Sequence, residues 1–359
     1  MRHFKHVLVL IAILFSTQII CAADSHGEEA TEEFDPMEMI MHHIADSHEW
    51  HIISYTNGDG EKVHITMPLP VILFHDGQLN VFMSSAFDHG HKVVNKGDLN
   101  YFMYHGKIYL TDAKGTIHYN DEHEVTNAKP LNFSITRNVS SMLLSVLVLL
   151  WLFIAMARKY GDKPSTPKGI QSVLEPLILF VRDDIAYAQI EKDKADKFLP
   201  FLLTLFFFIW INNLLGLVPI FPGGSNLTGN ISFTFVLAII TFLVTNFYGT
   251  KSYWGHIFWM PGVPVPIRLL LSVIEFIGLF TKPFALMIRL MANITAGHII
   301  ILSLFSLIFV MKSLAIAPVS ILMALMMFML ELLVAVLQAY IFTLLSALFI
   351  GMAVHSEEH

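Results

Sequence analysis

Charged residues make up only 14% of the 359 positions, against 55% hydrophobic ones. That is too little charge to cover a soluble domain of this size, and a mean hydropathy of +0.60 agrees. Cysteine occurs once, at Cys21, so no disulfide can form within the chain. There is no G-x-x-x-x-G-K-[ST] phosphate loop and no H-E-x-x-H zinc motif, which removes the two commonest sequence signs of nucleotide or metal hydrolysis. No internal repeat is visible, and no basic patch suits nucleic acid. What remains is a membrane protein whose formal charge of -7 is unevenly spread, with Asp, Glu and His crowded into residues 24–130.

The start, "MRHFKHVLVLIAILFSTQIICAADS", has a basic end, a short apolar run and then small residues, and it reads as a secretory signal peptide over 1–23, cleaved after Ala23. Ile20 is too bulky for the position before a lipidated cysteine. Residues 24–130 then form an extracytoplasmic domain rich in His and acid. "DPMEMIMHHIADSHEW" has helical spacing, while "VHITMPLPVILF", "LNVFMSSAF" and "YFMYHGKIYLT" read as strands bounded by Gly, Asn and Asp. Twelve of the 18 histidines fall here, among them His42, His43, His48 and His51. With no cysteine beside them they read as a polar, pH-sensitive surface, and no metal site or cofactor is expected.

After Lys129 and Pro130 comes the membrane region, 135–359. "VSSMLLSVLVLLWLFIAMA" is long enough to cross a hydrocarbon core of about 30 Å. Arg158, Lys159, Lys163 and Lys168 follow it and belong on the cytoplasmic side. The segment "IQSVLEPLILFVRDDIAYAQIEKDKADKF" mixes charge and apolar residues at helical intervals, as a surface helix does. Spans are then expected near 199–220 and 231–249. The stretches 267–311 and 314–354 are each about twice as long as a membrane crossing needs. They suggest a tilted hairpin turning at "KSLAIAP", with Gly278, Pro283 and Gly297 as kink sites. The expected fold class is an all-α polytopic membrane protein. It has about five membrane-embedded helices including the long tilted C-terminal hairpin, an amphipathic surface helix, and a small α+β extramembrane N-terminal domain. The expected location is the cell inner membrane, with the N-terminal domain in the periplasm and the C-terminus in the cytoplasm.

"TKPFALMIRLMANITAGHIIILSLF" places the guanidinium of Arg289 at bilayer depth, where a charge costs at least about 2.5 kcal/mol and is seldom idle. Asn293 is one helical turn beyond it on the same face. His298, nine residues on, points about 180° away. Glu275, fourteen residues earlier, returns to within about 40° of Arg289 but lies some 20 Å along the axis. Glu331 and Gln338 share one face of the last helix. One bland alternative is an internal Arg289–Glu331 ion pair that only holds helices together, though such a pair is often replaceable by apolar packing.

These residues resemble a known family. "IRLMANITAGHII" preceded by "TKPFALMIR", "LQAYIF" fifty residues later, and "NNLLGLVP" at the end of a span are similar to the a subunits of F-type ATP synthases, over roughly residues 135–359. The resemblance implies a proton-conducting stator subunit that is not catalytic alone. It works against a rotating c ring, with peripheral stalk b subunits and the lipid bilayer as its other partners. It implies that Arg289 separates two half-channels and faces the ring carboxylate. Asn293 and Gln338 are then interface neighbours, Glu275 lines the cytoplasmic half-channel, and His298 with Glu331 serves the outer one. Two departures stand out. The outer pair has histidine before acid, the order of mitochondrial relatives, and Ala292 replaces a glycine of the common R-L-F-G-N. The alternatives are an independent ion-coupled secondary transporter, whose repeated halves are not seen here, and a structural anchor for the outer domain.

Overall fold

The computed structural model describes residues 36–56, 62–160, 169–218, 223–260, 262–311, 313 and 315–355. The expected signal segment lies outside them, as do Lys163, Lys168 and Lys312. The chain divides into two compact units, 1–143 with 218–225, and 144–217 with 226–359.

Among the described residues the first unit begins with helix α1 (Pro36–Ile44) and continues as β1 (Glu49–Thr56), β2 (Lys62–Pro68), β3 (Pro70–His75) and β4 (Gln78–Met83). A 3-10 turn, Ser84–Gly90, leads to β5 (Val94–Lys96), β6 (Leu99–Tyr104) and β7 (Lys107–Thr111), and the short β8 (Leu131–Asn132) follows later. All the pairings are antiparallel: β1 with β2, β3 between β4 and β8, and β6 between β5 and β7. Alternate residues Val71, Leu73, Phe82 and Tyr101 point inward with Phe87 and Ile108 to make the core.

Three expected strands differ in detail. "VHITMPLPVILF" is two strands that meet at Leu69, between two prolines that cannot donate ladder hydrogen bonds. "LNVFMSSAF" stops being a strand at Met83, where Ser84 Oγ accepts from the Leu69 N–H. "YFMYHGKIYLT" is a hairpin rather than one strand, because His105 and Gly106 both take positive φ, 47° and 72°, and close a two-residue turn.

Where α2 (Arg137–Ala157) begins, the Arg137 N–H donates to Ser47 O, its Nη2 donates to Ala45 O at 2.9 Å, and the Asn138 N–H donates to Asp46 Oδ1. Ser225 Oγ donates to Asn138 Oδ1 at 2.6 Å.

In the second unit the charged segment expected to lie on the surface forms α3 (Ile170–Phe180), a π turn over Val181–Ala186 and one last helical turn, Tyr187–Gln189. It is amphipathic, but its apolar face is not left at a surface: Leu174, Val181, Ile185 and Ala186 are buried in the helical core. Helix α4 (Lys192–Leu217) starts seven residues earlier than expected, because Lys192, Asp193 and Lys194 fill its first turn. Helix α5 (Ile231–Phe247) is capped by Asn230, whose side chain accepts from the Ser232 N–H, and the chain then bends by 104° into α6 (Lys251–Phe258).

The last two helices are single and unbroken: α7, Val265–Val310, has 46 residues and α8, Ala317–Val354, has 38. At 1.5 Å per residue they reach about 70 and 57 Å, so in a core of about 30 Å they can only lie obliquely. Proline follows the first residue of each, a position where its missing N–H costs nothing. Among the described residues four helices are long and apolar enough to cross a membrane, or five if the bent α5–α6 pair is one span.

The buried stripe of α8 is small and polar, with Ser320, Ala324, Ala335, Ala339, Thr343, Ser346 and Ala347. Side chains of that size let neighbouring helices approach closely, which is how membrane helices associate when burial of apolar surface no longer drives packing. Phe206, Phe207 and Ile209 of α4 and Leu286, Leu290 and Ile294 of α7 fill the core that α8 also joins. Asn213 Nδ2 of α4 donates to Ala335 O at 3.0 Å across a buried contact, and Thr241 Oγ1 of α5 meets Ser346 Oγ at 3.4 Å.

Candidate functional site

Helix α7 has two chemically different faces. Leu286, Leu290, Ile294, Gly297 and Ile301 recur at helical spacing and are buried. Ala285, Arg289, Ala292, Asn293 and Ala296 form an exposed stripe between them. Among the described residues no hydrogen bond or ion pair engages Arg289, so the internal Arg289–Glu331 pair is not formed. A guanidinium set among alanines and left open has room for a planar partner to approach from outside the chain.

Glu331 is elsewhere, with only 2% of its surface exposed. Its Oε1 lies 3.3 Å from His298 Nδ1 on α7, and among the described residues neither carboxylate oxygen accepts a hydrogen bond. The position exists because of Gly297. A Cβ built there would come within 2.6 Å of Glu331 Oε1 and 2.8 Å of its Cδ. The sequence marks Gly297 as a kink site, but α7 runs through it unbroken and the glycine makes room for a carboxylate.

Gln338, one face along α8 from Glu331, is likewise buried at 4% exposure, unlike Asn293 on the open stripe. Glu275 is half-buried and lines a separate cavity of about 480 Å³. Gln189, Glu191, His256, Lys282 and His355 line it too. Nothing in the sequence singles out that cavity: its residues come from four distant segments, and their spacing carries no period. The structure thus brings His298 and Glu331 together, leaves Arg289 and Asn293 on an open face, and puts Glu275 at a second polar site.

Among the described residues no three His, Cys, Asp or Glu side chains converge as metal ligands would, and the side chains of His42, His43 and His51 lie outside those described. His48 is buried, and burial pulls its pKa below the usual histidine value. Asn132 Oδ1 accepts from the Ser134 N–H, which turns the Asn132 amide nitrogen toward His48 Nε2 at 3.2 Å and makes that ring nitrogen an acceptor. A neutral, engaged imidazole of this kind is a core residue of the outer unit.

A family model described as ATP synthase A chain matches residues 139–351, more than half of the sequence. The chain belongs to the family of a subunits of F-type ATP synthases. An ATP synthase subunit a of Chloroherpeton thalassium is 48% identical over 233 residues, 64% of this chain and 69% of that protein. One from Anaeromyxobacter sp. (strain Fw109-5) is 35% identical over 345 residues, 93% of this chain and 75% of that one. Residues 39–133 match a second family described as a domain of unknown function, DUF8433. The chain is therefore an integral, non-catalytic subunit of the membrane sector, part of a complex with the c ring and the rest of the enzyme.

Proposed function

We propose that the chain is the proton-conducting stator of this motor and that the open stripe around Arg289 and Asn293 faces the rotating c ring. The observation that carries this reading is the separation of its polar groups. One permanent positive charge lies open on α7, while a carboxylate–imidazole pair and a carboxylate-lined cavity lie at two other places on the long helices. Protons arriving from outside pass Glu331 and His298 and neutralise a ring carboxylate. The neutral acid then moves through lipid at low cost, and after most of a turn it releases its proton toward Glu275. Arg289 favours the ionised carboxylate, which promotes release, and its charge blocks direct proton flow between the two routes. Each proton crossing 100 mV supplies about 2.3 kcal/mol, so several drive one ATP.

The small side chains beside Arg289 support close approach of the ring. The N-terminal unit lies in the periplasm, α8 ends in the cytoplasm, and the peripheral stalk b subunits contact faces away from the ring stripe.

Cysteine labelling tests the two routes. A membrane-impermeant thiol reagent applied from the cytoplasmic side is expected to label Glu275→Cys and not His298→Cys, and the reverse is expected from the periplasmic side. If both positions react from one side only, the two-route reading is wrong.

A further inference from the structure

At the end of α8 the chain is clamped more firmly than its polar tail requires. His355 caps the helix through its N–H to Gly351 O at 3.0 Å. The Thr250 N–H donates to Ala353 O at 2.9 Å, and Thr250 Oγ1 donates to His355 O at 3.2 Å. From the other side Lys194 Nζ donates to Val354 O at 2.9 Å. Gly351 lies so close to Gln189 O that any side chain there would collide with it. Two segments distant in sequence, 189–194 and Thr250, thus hold the backbone that carries this imidazole.

That imidazole lies 2.8 Å, through Nδ1, from Glu191 Oε1. The other oxygen of Glu191 lies 2.7 Å from Lys194 Nζ. The hydrogen bond from Lys194, followed by the one from His355, holds the Glu191 carboxyl below its usual range. Glu191 is therefore the ionised acceptor at neutral pH, His355 Nδ1 donates to it, and Nε2 is the ring nitrogen that Glu191 does not engage. More than half of the His355 side chain is exposed, and it lines the same cavity of about 480 Å³ as Glu275. That volume has room for on the order of fifteen waters. The other ionisable groups facing the cavity are Tyr253 and His256 from α6 and Lys282 from α7.

We propose that His355, oriented by Glu191, is the proton-exchange group at the cytoplasmic mouth of this cavity. It rests on the reading of Glu275 as the carboxylate of the inner route. At neutral pH free hydronium is so dilute that diffusion to a channel mouth supplies only about 10³ protons per second at the encounter limit. An imidazole at the mouth takes a proton from buffer or water at Nε2, becomes an imidazolium paired with Glu191, and passes the proton to cavity water leading to Glu275. In ATP synthesis the same steps run backwards. The covalent framework is unchanged, and each cycle accepts and releases one proton.

The test uses inside-out vesicles carrying the whole ATP synthase, in which ATP hydrolysis draws protons from the medium through this mouth. His355→Ala is expected to slow pumping about tenfold at about pH 8 and much less at about pH 6, where free protons are plentiful. Millimolar imidazole in the medium is expected to restore the rate at the higher pH. Native pumping by His355→Ala at every pH overturns the proposal. So does a loss that is equal at both pH values and unaffected by imidazole, because a purely structural clamp would behave that way. Glu275→Gln, measured in parallel with assembly followed by immunoblotting, separates the two levels. If it pumps at the native rate, the inner-route reading fails and takes the relay with it. If it stops pumping while His355→Ala is unaffected, the relay alone fails.

Discussion

Replacing Arg289 with alanine is expected to stop ATP-driven proton pumping in membrane vesicles while the subunit still assembles. Arg289 is exposed on α7 and engages none of the described residues, so truncation removes no internal contact and places the best helix former in a helix. The loss is therefore one of function rather than of fold. Removing a single preorganised charge from a low-dielectric site costs roughly 10²- to 10³-fold in other systems, and a comparable fall in pumping is expected. Arg289→Lys is expected to fail nearly as badly, because lysine lacks the planar fork and gives up its proton more readily when desolvated. Pumping is followed by quenching of a pH-sensitive dye, and assembly by immunoblotting. Near-native pumping by either assembled variant would make the charge structural.

The second large effect concerns the carboxylate pocket. Gly297→Val places two methyl groups where Glu331 now sits, and the carboxylate must move by an ångström or more, because a Cβ alone would be 2.6 Å from its Oε1. Misplacement on that scale can cost about 10²-fold in rate, and pumping is expected to fall accordingly. Gly297→Ala should cause a smaller loss of the same kind. The informative partner is Glu331→Asp, whose shorter side chain withdraws from the crowded atom. Combined with Gly297→Ala it is expected to pump faster than either single variant. Strict additivity of the two losses would show that Gly297 does not position Glu331.

How much of this was legible in the sequence differs from element to element. The long helices were legible because apolar runs of this length have few other uses, and the two ends of α7 and α8 fall within three residues of the expected ones. The opposite outlooks of Arg289 and His298 followed from 100° per residue, and the structure leaves the first open and the second beside Glu331. The hairpin at His105 and Gly106 was missed because it depends on backbone φ values that an H-G pair does not advertise as N-G or D-G does. The roles of Gly297 and Gly351 were missed for another reason. A glycine that makes room for a side chain or a carbonyl from a distant segment leaves no local pattern, and only tertiary contact reveals it. The inner cavity was invisible on the same ground, since Glu191, His256, Glu275 and His355 come from four separate stretches of chain. The buried face of α3 and the π turn shows a different limit: charges such as Asp183 and Asp184 on one face do not reveal what covers the other.

The most direct measurement is disulfide cross-linking in the assembled enzyme, with Cys21 replaced by serine, one cysteine at Asn293 and another beside the carboxylate of the ring subunit. Leu147, on the exposed side of α2, serves as the control position. The account predicts an a–c cross-link from Asn293→Cys that stops turnover, and none from Leu147→Cys. A cross-link from Leu147→Cys with none from Asn293→Cys would place the ring against another face, and the stripe around Arg289 would not be the motor interface.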